Sequence, residues 1–226
     1  QSTSMLAEPK AVLWDFDGTL VDTEPIWDET QDGMLAERGL EFTAEHRALM
    51  RGSSSMVTAE IMAELYADGT TAQEVFDDVQ ARMVARLTAD LPWMPGAREL
   101  MEDLDRHGVP CAIVTASFSI IMDAVRTRLP HSVRYIVTSD LVANAKPHPE
   151  PYQTAADLLR VDPRDTVALE DSIPGATSAL AAGSVVVAVA PEVTHSPHPR
   201  LRVSEGLEGL AWADLAQAWR ELKDNA

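Results

Sequence analysis

Five short apolar runs without polar alternation recur along the chain. They are rich in β-branched residues, as is typical of strands in a parallel sheet that is covered on both faces. Their sequences are AVLW, CAIVT, YIVT, TVALE and SVVVAV, at residues 11–14, 111–115, 135–138, 166–170 and 184–189. These runs predict five buried β-strands.

Amphipathic segments with helix-end signals lie between these runs. The segment PGARELMEDLDRHG has Pro95 near its start and Gly108 just past its end, where helices favour these residues. Three further segments follow the same pattern: SIIMDAVRTRL, PEPYQTAADLLR and IPGATSALAAG. Because strands alternate with helices, we expect an α/β fold with a doubly wound, mostly parallel, Rossmann-like sheet.

The alternation stops between residues 21 and 92, where no run favours a strand. One helical segment can begin at Thr23 and end at Gly39. The last segment opens with Thr71 and Glu74 at the spacing of a capping box, and its apolar residues then share one face: Val75, Val79, Met83 and Leu87. We interpret this stripe as the core of a small inserted α-helical domain.

The predicted organisation is therefore a catalytic core with one insertion. The core comprises residues 5–20 and 93–226, and a helical cap domain occupies residues 21–92. The proline-containing stretch LPWMPG returns the chain to the core. Residues 1–4, ahead of Met5, look like a vector-derived remnant and are left out of the fold.

Charge narrows the classes of partner. The 36 acidic and 18 basic residues give a formal net charge of −18. This field repels a polyanion, so nucleic acid is not expected as a partner. A small anionic substrate remains compatible with it, because a metal and a few bases can invert the charge of one cleft.

Other features bear on location and assembly. Cys111 is the single cysteine and lies in an apolar run, so we interpret it as a buried structural thiol in a cytoplasmic protein. We expect no membrane span, because no apolar stretch is long enough, and no secretion signal, because a basic region followed by an apolar one is lacking in the first residues given. No exposed apolar helix stands out, so a monomer is expected.

Residues that could bind a ligand or take part in catalysis lie at or just after the ends of four predicted strands. In chain order they are Asp15 with Asp17, Thr115, Lys146, and Glu170 with Asp171. Ligands of doubly wound sheets bind at the carboxyl ends of the strands. We therefore expect these side chains to meet at one rim of the sheet.

These residue types suit phosphoryl transfer assisted by Mg²⁺. Asp15, Glu170 and Asp171 are hard oxygen ligands, and a cation would relieve their mutual repulsion. Lys146 offers a positive charge to a phosphate, and Thr115 offers a hydroxyl. One carboxylate can attack phosphorus, while a second one two residues later can protonate the leaving oxygen.

Each residue taken alone also has an ordinary structural explanation. Asp15, or the pair Glu170 and Asp171, could cap a following helix. Thr115 could simply end a strand, and Lys146 could be a solvated surface charge. Their joint placement after the strands of one predicted sheet favours a functional site. Gly18 would permit a tight turn with backbone N–H groups directed at a phosphate.

Four segments then stand in the order of the motifs of a known superfamily. DFDGTLVDTEP, VTAS, KPHPEPY and ALEDSIPG resemble those of the haloacid dehalogenase-like hydrolases. The resemblance covers nearly the whole chain, including a helical cap of the right size. It is strongest to the β-phosphoglucomutase and sugar-phosphatase subgroup, and in particular to the bacterial hexose and 2-deoxyhexose 6-phosphate phosphatases.

The resemblance implies a role for each matching residue. Asp15 would be the nucleophile and Asp17 the general acid and base, with Thr115 and Lys146 completing the catalytic set. Mg²⁺ would be bound by Asp15, Asp171 and the backbone carbonyl of Asp17, and by Glu170 either directly or through water. The phosphoryl group would be held by Phe16, Asp17, Thr115, Ala116 and Lys146. The cap would open and close over the substrate.

Two positions separate the phosphatases from the mutases. Trp27 stands where the mutases carry a cap histidine, and Ser55 where they carry a cap arginine. We therefore expect a Mg²⁺-dependent phosphomonoesterase for small phosphorylated metabolites, above all sugar phosphates, that works through an aspartyl phosphate. A β-phosphoglucomutase-like isomerase is the first alternative, and a phosphoaccepting regulatory module is the second.

Specificity is expected to reside in the cap. The candidate substrate residues are Glu24, Trp27, Arg51, Gly52 and Ser53. In the loop MRGSSS, the arginine suits an added negative charge and the serine hydroxyls suit a sugar. A flexible polar turn is the alternative for that loop, and a place in the cap core is the alternative for Trp27. The segment HSPHP, at 195–199, is interpreted as a surface loop.

Overall fold

The apolar runs form the central sheet of the protein. The computed structural model describes residues 6–226, so the prediction for residues 1–4 lies outside the described residues. Within the described part, the strands are β1 Ala11–Trp14, β2 Cys111–Val114, β3 Val133–Val137, β4 Thr166–Glu170, β5 Val185–Ala188 and β6 Leu201–Val203. They form one parallel sheet in the order β3-β2-β1-β4-β5-β6. The predicted α/β fold is confirmed.

Strand register aligns the ends that carry the candidate residues. Trp14, the last residue of β1, pairs with Ile113 on β2 and with Leu169 on β4. All of these strands run in the same direction, so their carboxyl ends reach the same edge of the sheet. The residues that follow β1 therefore emerge between those that end β2 and those that end β4.

Helices connect the strands as the sequence pattern predicts. In chain order they are α1 Glu24–Ala36, α2 Ala44–Met50, α3 Ser55–Tyr66, α4 Ala72–Ala89, α5 Ala97–Arg106, α6 Ser119–Arg126, α7 Glu150–Leu159, α8 Ile173–Ala182 and α9 Trp212–Leu222. Short 3-10 turns occupy Ser139–Leu141 and Pro163–Asp165. The four helices predicted between the later strands, α5 to α8, are confirmed.

Three elements were not predicted. The short strand β6 is only partly buried, so it lacks an apolar run. Helix α2 has no buried residue and therefore no apolar periodicity to detect. Helix α9, in contrast, has a clear signal, because its buried residues recur at helical spacing: Trp212, Leu215, Ala216, Ala218 and Trp219.

Residues Thr23–Leu91 form a compact unit of their own, separate from the sheet unit. The Thr71 hydroxyl accepts a hydrogen bond from the Glu74 N–H at 3.1 Å, as expected for the start of α4. The predicted stripe on this helix is buried, at Val75, Val79, Met83 and Leu87. The helical character and the apolar face of this segment are therefore confirmed.

The chain leaves and re-enters the sheet unit through two paired segments. The Asp22 N–H donates to the Pro92 carbonyl at 2.8 Å, and the Met94 N–H donates to the Leu20 carbonyl at 2.9 Å. An antiparallel bridge joins Val21 to Trp93 between these two bonds. The exit and return of the chain thus lie side by side at the end of the motif that contains Asp15.

Two smaller predictions can also be compared with the structure. Cys111 is a free, buried cysteine, and burial raises the pKa of its thiol to about 12, as expected of an inert structural residue. The stretch 195–199 lies between β5 and β6 outside helices and strands, as predicted for a loop. Among the described helices, none combines the length and apolarity needed to cross a bilayer.

Gly96 provides a test of the packing at the start of α5. Its φ is +82°, and a Cβ there would lie within 2.6 Å of backbone atoms of Leu207 and Glu208. We expect Gly96→Ala to lower the free energy of unfolding by about 3 kcal/mol, from left-handed strain plus overlap. Urea denaturation followed by circular dichroism measures the loss.

The matched control is Gly108→Ala. Gly108 has a φ of +66°, but nothing lies within 4 Å of its added Cβ, so only the conformational strain applies. We expect a loss of about 1 kcal/mol at this position. Equal losses in the two variants would contradict the close approach at Gly96.

Candidate active site

Lys146 lies at the centre of the candidate site. Its Nζ donates to Asp15 Oδ1 at 2.8 Å, to Glu170 Oε1 at 2.8 Å and to the Val114 carbonyl at 2.9 Å. The lysine side chain is 9 % exposed, so its interpretation as a solvated surface charge is wrong. Since an ammonium has three N–H donors, all of them are used.

The charge of Lys146 is stabilised by its partners. Burial alone lowers the pKa of this lysine, but the negative charges of Asp15 and Glu170 outweigh that effect and raise the pKa overall. The ammonium therefore stays protonated across the physiological range. It connects the ends of β1, β2 and β4 through one side chain.

Asp15 is held on both carboxylate oxygens. Its backbone N–H continues the sheet by donating to the Leu169 carbonyl at 3.0 Å. Oδ1 accepts from Lys146, while Oδ2 accepts from the Thr19 hydroxyl at 3.1 Å. Asp15 is 6 % exposed and precedes a turn instead of a helix, so the helix-cap alternative is wrong for this residue. Thr19 was not among the predicted site residues, although it lies within the segment DFDGTLVDTEP.

Asp17 has different partners from Asp15. Its Oδ2 accepts from the Ser117 hydroxyl at 2.9 Å and from the Thr115 hydroxyl at 3.4 Å. The Thr115 hydroxyl in turn accepts from the Ser117 N–H at 3.0 Å. Ser117 was not among the predicted residues, and its presence in the segment VTAS was the signal that could have found it. The two aspartates are therefore separated by environment as well as by Phe16.

Three carboxylates come together beside the lysine. Oxygens of Asp15, Glu170 and Asp171 lie within 4.8 Å of one another. Burial, and then the negative charge of Asp15, raises the pKa of Glu170. Burial, and then a hydrogen bond with Asp15, raises the pKa of Asp171. Such crowding is unfavourable unless a cation or protons offset it.

The donor set fits a hard divalent cation. Carboxylate oxygens are the ligands that Mg²⁺ and similar ions prefer. Glu170 Oε2 is buried and has no hydrogen-bond partner within residues 6–226, which leaves one lone-pair atom of the cluster unsatisfied. The residues present can therefore hold a divalent metal.

Glu170 and Asp171 do not cap helix α8. The cap is Ser172, whose hydroxyl accepts from the Gly175 N–H at 3.1 Å. The alternative explanation for the two acids is therefore wrong. Both carboxylates instead lie against glycines, since a Cβ on Gly18 would overlap the Asp171 carboxylate and a Cβ on Gly175 would overlap that of Glu170.

The turn after Phe16 is tight, as predicted, but one of its N–H groups is already bonded. Gly18 has a φ of +78°, and its N–H donates to the Val21 carbonyl at 2.9 Å. The Phe16 carbonyl accepts from the next turn of chain, at Thr19, Leu20 and Val21. Phe16 is fully buried, and Ala116 is exposed in the loop after β2. Their roles in phosphate binding stay predictions.

The predicted substrate residues belong to the Thr23–Leu91 unit. Glu24 and Trp27 lie in the first turn of α1, while Arg51, Gly52 and Ser53 connect α2 to α3. The Ser53 hydroxyl donates to the Leu49 carbonyl at 2.6 Å, and Ser54 caps α3. The serines thus serve the local turn, and a role of this loop in substrate recognition stays a prediction.

Comparisons with known proteins bear on the same site. A sequence model described as haloacid dehalogenase-like hydrolase matches residues 9–183. Hexitol phosphatase B of Escherichia coli is 30 % identical over 192 residues, which cover 83 % of this chain and 86 % of that protein. Phosphoglycolate phosphatase of Xanthomonas campestris is 30 % identical over 184 residues, covering 80 % and 82 %.

A solved structure extends the likeness to the whole architecture. CbbY from Rhodobacter sphaeroides, crystallised in complex with phosphate, superimposes with a TM-score of 0.74 at 25 % identity. The match covers 92 % of this chain and 99 % of CbbY. The arrangement of sheet and helices is therefore one already seen in solved proteins.

Gly18 provides a test of the acidic cluster. Gly18→Ala would introduce both left-handed strain and overlap with the Asp171 carboxylate. We expect the Mg²⁺ concentration for half-maximal hydrolysis of p-nitrophenyl phosphate to rise, and kcat to fall about 100-fold, because the Asp171 carboxylate would be displaced from the acidic cluster. Steady-state kinetics over a Mg²⁺ titration measures both quantities.

Gly39→Ala is the control for this variant. Gly39 has a φ of +69° with nothing within 4 Å of its added Cβ, so it shares the backbone strain but not the overlap. Its kcat should stay within about twofold of the wild type. If the two variants lost activity equally, the placement of Asp171 against Gly18 would be refuted.

Proposed function

The chain belongs to the haloacid dehalogenase-like hydrolase family, and on that premise we propose that it is a Mg²⁺-dependent phosphomonoesterase acting on small phosphorylated metabolites, above all sugar phosphates. The predicted family is confirmed, and with it the enzyme class, a phosphatase. The observation that carries the proposal is the bonding of Lys146 to Asp15 beside Glu170 and Asp171.

The different surroundings of the two aspartates support different roles. Asp15 is paired with the Lys146 ammonium, an arrangement that suits a carboxylate nucleophile. Asp17 accepts hydrogen bonds from the hydroxyls of Ser117 and Thr115, and this neutral hydroxyl environment suits a carboxyl group that exchanges a proton. This division is what an acyl-phosphate mechanism requires.

Two displacements at phosphorus follow from these roles. Asp15 attacks the phosphoryl group, the ester P–O bond breaks, and Asp17 donates its proton to the leaving alcohol. Water then attacks the aspartyl phosphate, Asp17 takes the proton of that water, and inorganic phosphate leaves Asp15 regenerated. Thr115 and Lys146 orient the phosphoryl group through both steps, together with the backbone around Phe16 and Ala116.

The metal would be held by the carboxylates of Asp15, Glu170 and Asp171, with the backbone carbonyl of Asp17 as a further ligand. When bound, Mg²⁺ would supply positive charge to the phosphoryl oxygens and to the cluster. The unsatisfied Glu170 Oε2 and the raised pKa values of Glu170 and Asp171 support this assignment.

We place the cap at residues 21–92 and the catalytic core at 5–20 and 93–226. The compactness of Thr23–Leu91 supports this division, as do the paired segments around Leu20–Asp22 and Pro92–Met94. Closure of such a cap would exclude water from the reaction. Substrate choice would then depend on residues that the cap carries, namely Glu24, Trp27, Arg51, Gly52 and Ser53.

The substrate class follows from the relatives as well as from the site. Curated proteins of similar sequence are named for hexitol phosphates and phosphoglycolate, both of which are small phosphate esters. We propose the same class for this enzyme, which would act as a monomer in the cytoplasm. The free, buried Cys111 is compatible with a reducing compartment.

Asp15→Asn tests the nucleophile. We expect the wild-type protein to release phosphate from members of a panel that contains hexose phosphates, 2-deoxyhexose phosphates, hexitol phosphates and phosphoglycolate. Addition of EDTA should abolish this release. In the variant, turnover should fall by at least about 1,000-fold, because the amide cannot form the acyl phosphate. A colorimetric phosphate assay measures it, and Asp105→Asn, at an exposed position of α5, is the control.

The same panel separates hydrolysis from isomerisation. Conversion of β-glucose 1-phosphate to glucose 6-phosphate with little free phosphate would replace the phosphatase proposal by the mutase. Trp27 and Ser55 make release of phosphate the expected result. Retained turnover in Asp15→Asn would exclude the mechanism altogether.

Asp17→Asn tests the general acid and base. We expect kcat to fall about 100-fold or more for alkyl phosphates, because the leaving oxygen is no longer protonated. The loss should be smaller for p-nitrophenyl phosphate, whose leaving group needs no proton. A phosphate-release assay measures kcat for both substrates. Acid quenching of reactions with ³²P-labelled substrate measures the phosphate that remains bound to the protein as the acyl phosphate.

The lifetime of the acyl phosphate in the wild-type protein distinguishes a phosphatase from a phosphoaccepting regulatory module. A long-lived acyl phosphate on wild-type Asp15, without turnover of any substrate, would favour a phosphoaccepting module. Rapid loss of the label from wild type, but slower loss from the Asp17 variant, is the outcome expected of a phosphatase.

A further inference from the structure

Tyr152 contacts the active site from inside the core. It lies on α7 and is 0 % exposed. Its hydroxyl donates a hydrogen bond to Glu170 Oε1, the same oxygen that accepts from Lys146 Nζ. The Lys146 Nζ also lies 5.5 Å from the centre of the Tyr152 ring. The tyrosine thus reaches the lysine in two ways, through its ring and through a shared carboxylate oxygen.

Glu170 is confined from the opposite side. It is 0 % exposed, and its carboxylate lies against Gly175, where an added Cβ would overlap it. Oε1 is occupied by Tyr152 and Lys146, while Oε2 is without a hydrogen-bond partner in the described part of the chain. One carboxylate oxygen of Glu170 thus accepts two hydrogen bonds and the other accepts none. Loss of one of the two donors would allow the carboxylate to rotate.

We propose that Tyr152 is a positioning residue for phosphoryl transfer, which acts through Glu170 Oε1 to set the distance between Lys146 Nζ and Asp15. The inference rests on the proposed phosphatase function and extends it to a residue that touches neither metal nor substrate. Gly175 contributes to the same positioning, because the absence of a side chain leaves room for the Glu170 carboxylate.

The physical reason is competition for the ammonium of Lys146. Asp15 and Glu170 each accept from it at 2.8 Å, so the lysine is balanced between two negative charges. Donation from Tyr152 reduces the charge that Glu170 Oε1 presents to the lysine. The Tyr152 hydroxyl is the donor in this bond, because the carboxylate oxygen it contacts is an acceptor.

Loss of the Tyr152 hydroxyl should therefore draw the Lys146 ammonium towards Glu170. The carboxylate would be free to rotate, and the ammonium would follow it away from Asp15. Misplacement of a catalytic group by a fraction of an ångström affects the transition state more than the bound substrate. The expected signature is a lower kcat with little change in KM.

Tyr152→Phe tests this inference, because phenylalanine keeps the buried ring and removes only the hydroxyl. With p-nitrophenyl phosphate and saturating Mg²⁺, we expect kcat to fall about tenfold, while KM and the half-saturating Mg²⁺ concentration stay within about twofold. Orthovanadate, which mimics the pentacoordinate transition state, should bind about tenfold more weakly by calorimetry, with inorganic phosphate nearly unaffected.

Two further variants make the test specific. Gly175→Ala pushes on the same carboxylate from the other side, so it should lower kcat in the same direction. Ala156→Gly destabilises α7 at a buried position without removing a bond to Glu170, so it should lower the melting temperature and leave kcat unchanged.

The outcomes distinguish this inference from the function on which it rests. A wild type that hydrolyses neither p-nitrophenyl phosphate nor the sugar phosphates overturns the proposed function. An active wild type with unchanged kcat and vanadate affinity in Tyr152→Phe overturns only the role of Tyr152. A large rise in the half-saturating Mg²⁺ concentration, with normal kcat at saturation, would also overturn it, because Tyr152 would then act on the metal.

Discussion

The buried ammonium of Lys146 is the interaction on which the rest of the site depends. Burial of charged groups is costly unless they are paired and hydrogen-bonded. Asp15 and Glu170 are nearly inaccessible to solvent, and Lys146 bonds to both of them and to the Val114 carbonyl. Without this cation, the acidic rim that can bind a metal would consist of mutually repelling carboxylates. The loop after β3 must therefore return to the ends of β1 and β4.

Strand order makes this pairing possible. Because β1 lies between β2 and β4, the residue after β1 has a neighbour from each side. The β2 side supplies Thr115 and Ser117, which bond to Asp17, and the β4 side supplies Glu170 and Asp171. One aspartate is thereby held by an ammonium and the other by hydroxyls. Two acids separated by a single residue can then have different chemistry, because each carboxylate takes its properties from the groups that it contacts.

Much of this arrangement could be predicted from local pattern. The apolar runs locate five strands, and the helix-end residues locate most helices, because burial and capping depend on residues close in sequence. Helix α2 and strand β6 escaped prediction because neither is buried enough to show a periodicity. Ser117 escaped because its neighbours in VTAS did not indicate which hydroxyl would reach Asp17. Lys146 cannot be distinguished from a surface charge by local sequence, because its burial depends on contacts with distant segments.

The sequence by itself determined the class of fold, the order of the motifs and the chemical types available at the rim, because these depend on periodicity and residue identity. Only the tertiary structure decided which groups touch. Lys146 and Asp15 are 131 residues apart, and Ser117 and Asp17 are 100 apart. The bond from Tyr152 to Glu170 likewise arises from the packing of α7 against the sheet. No local pattern specifies such contacts, since they follow from strand order and register.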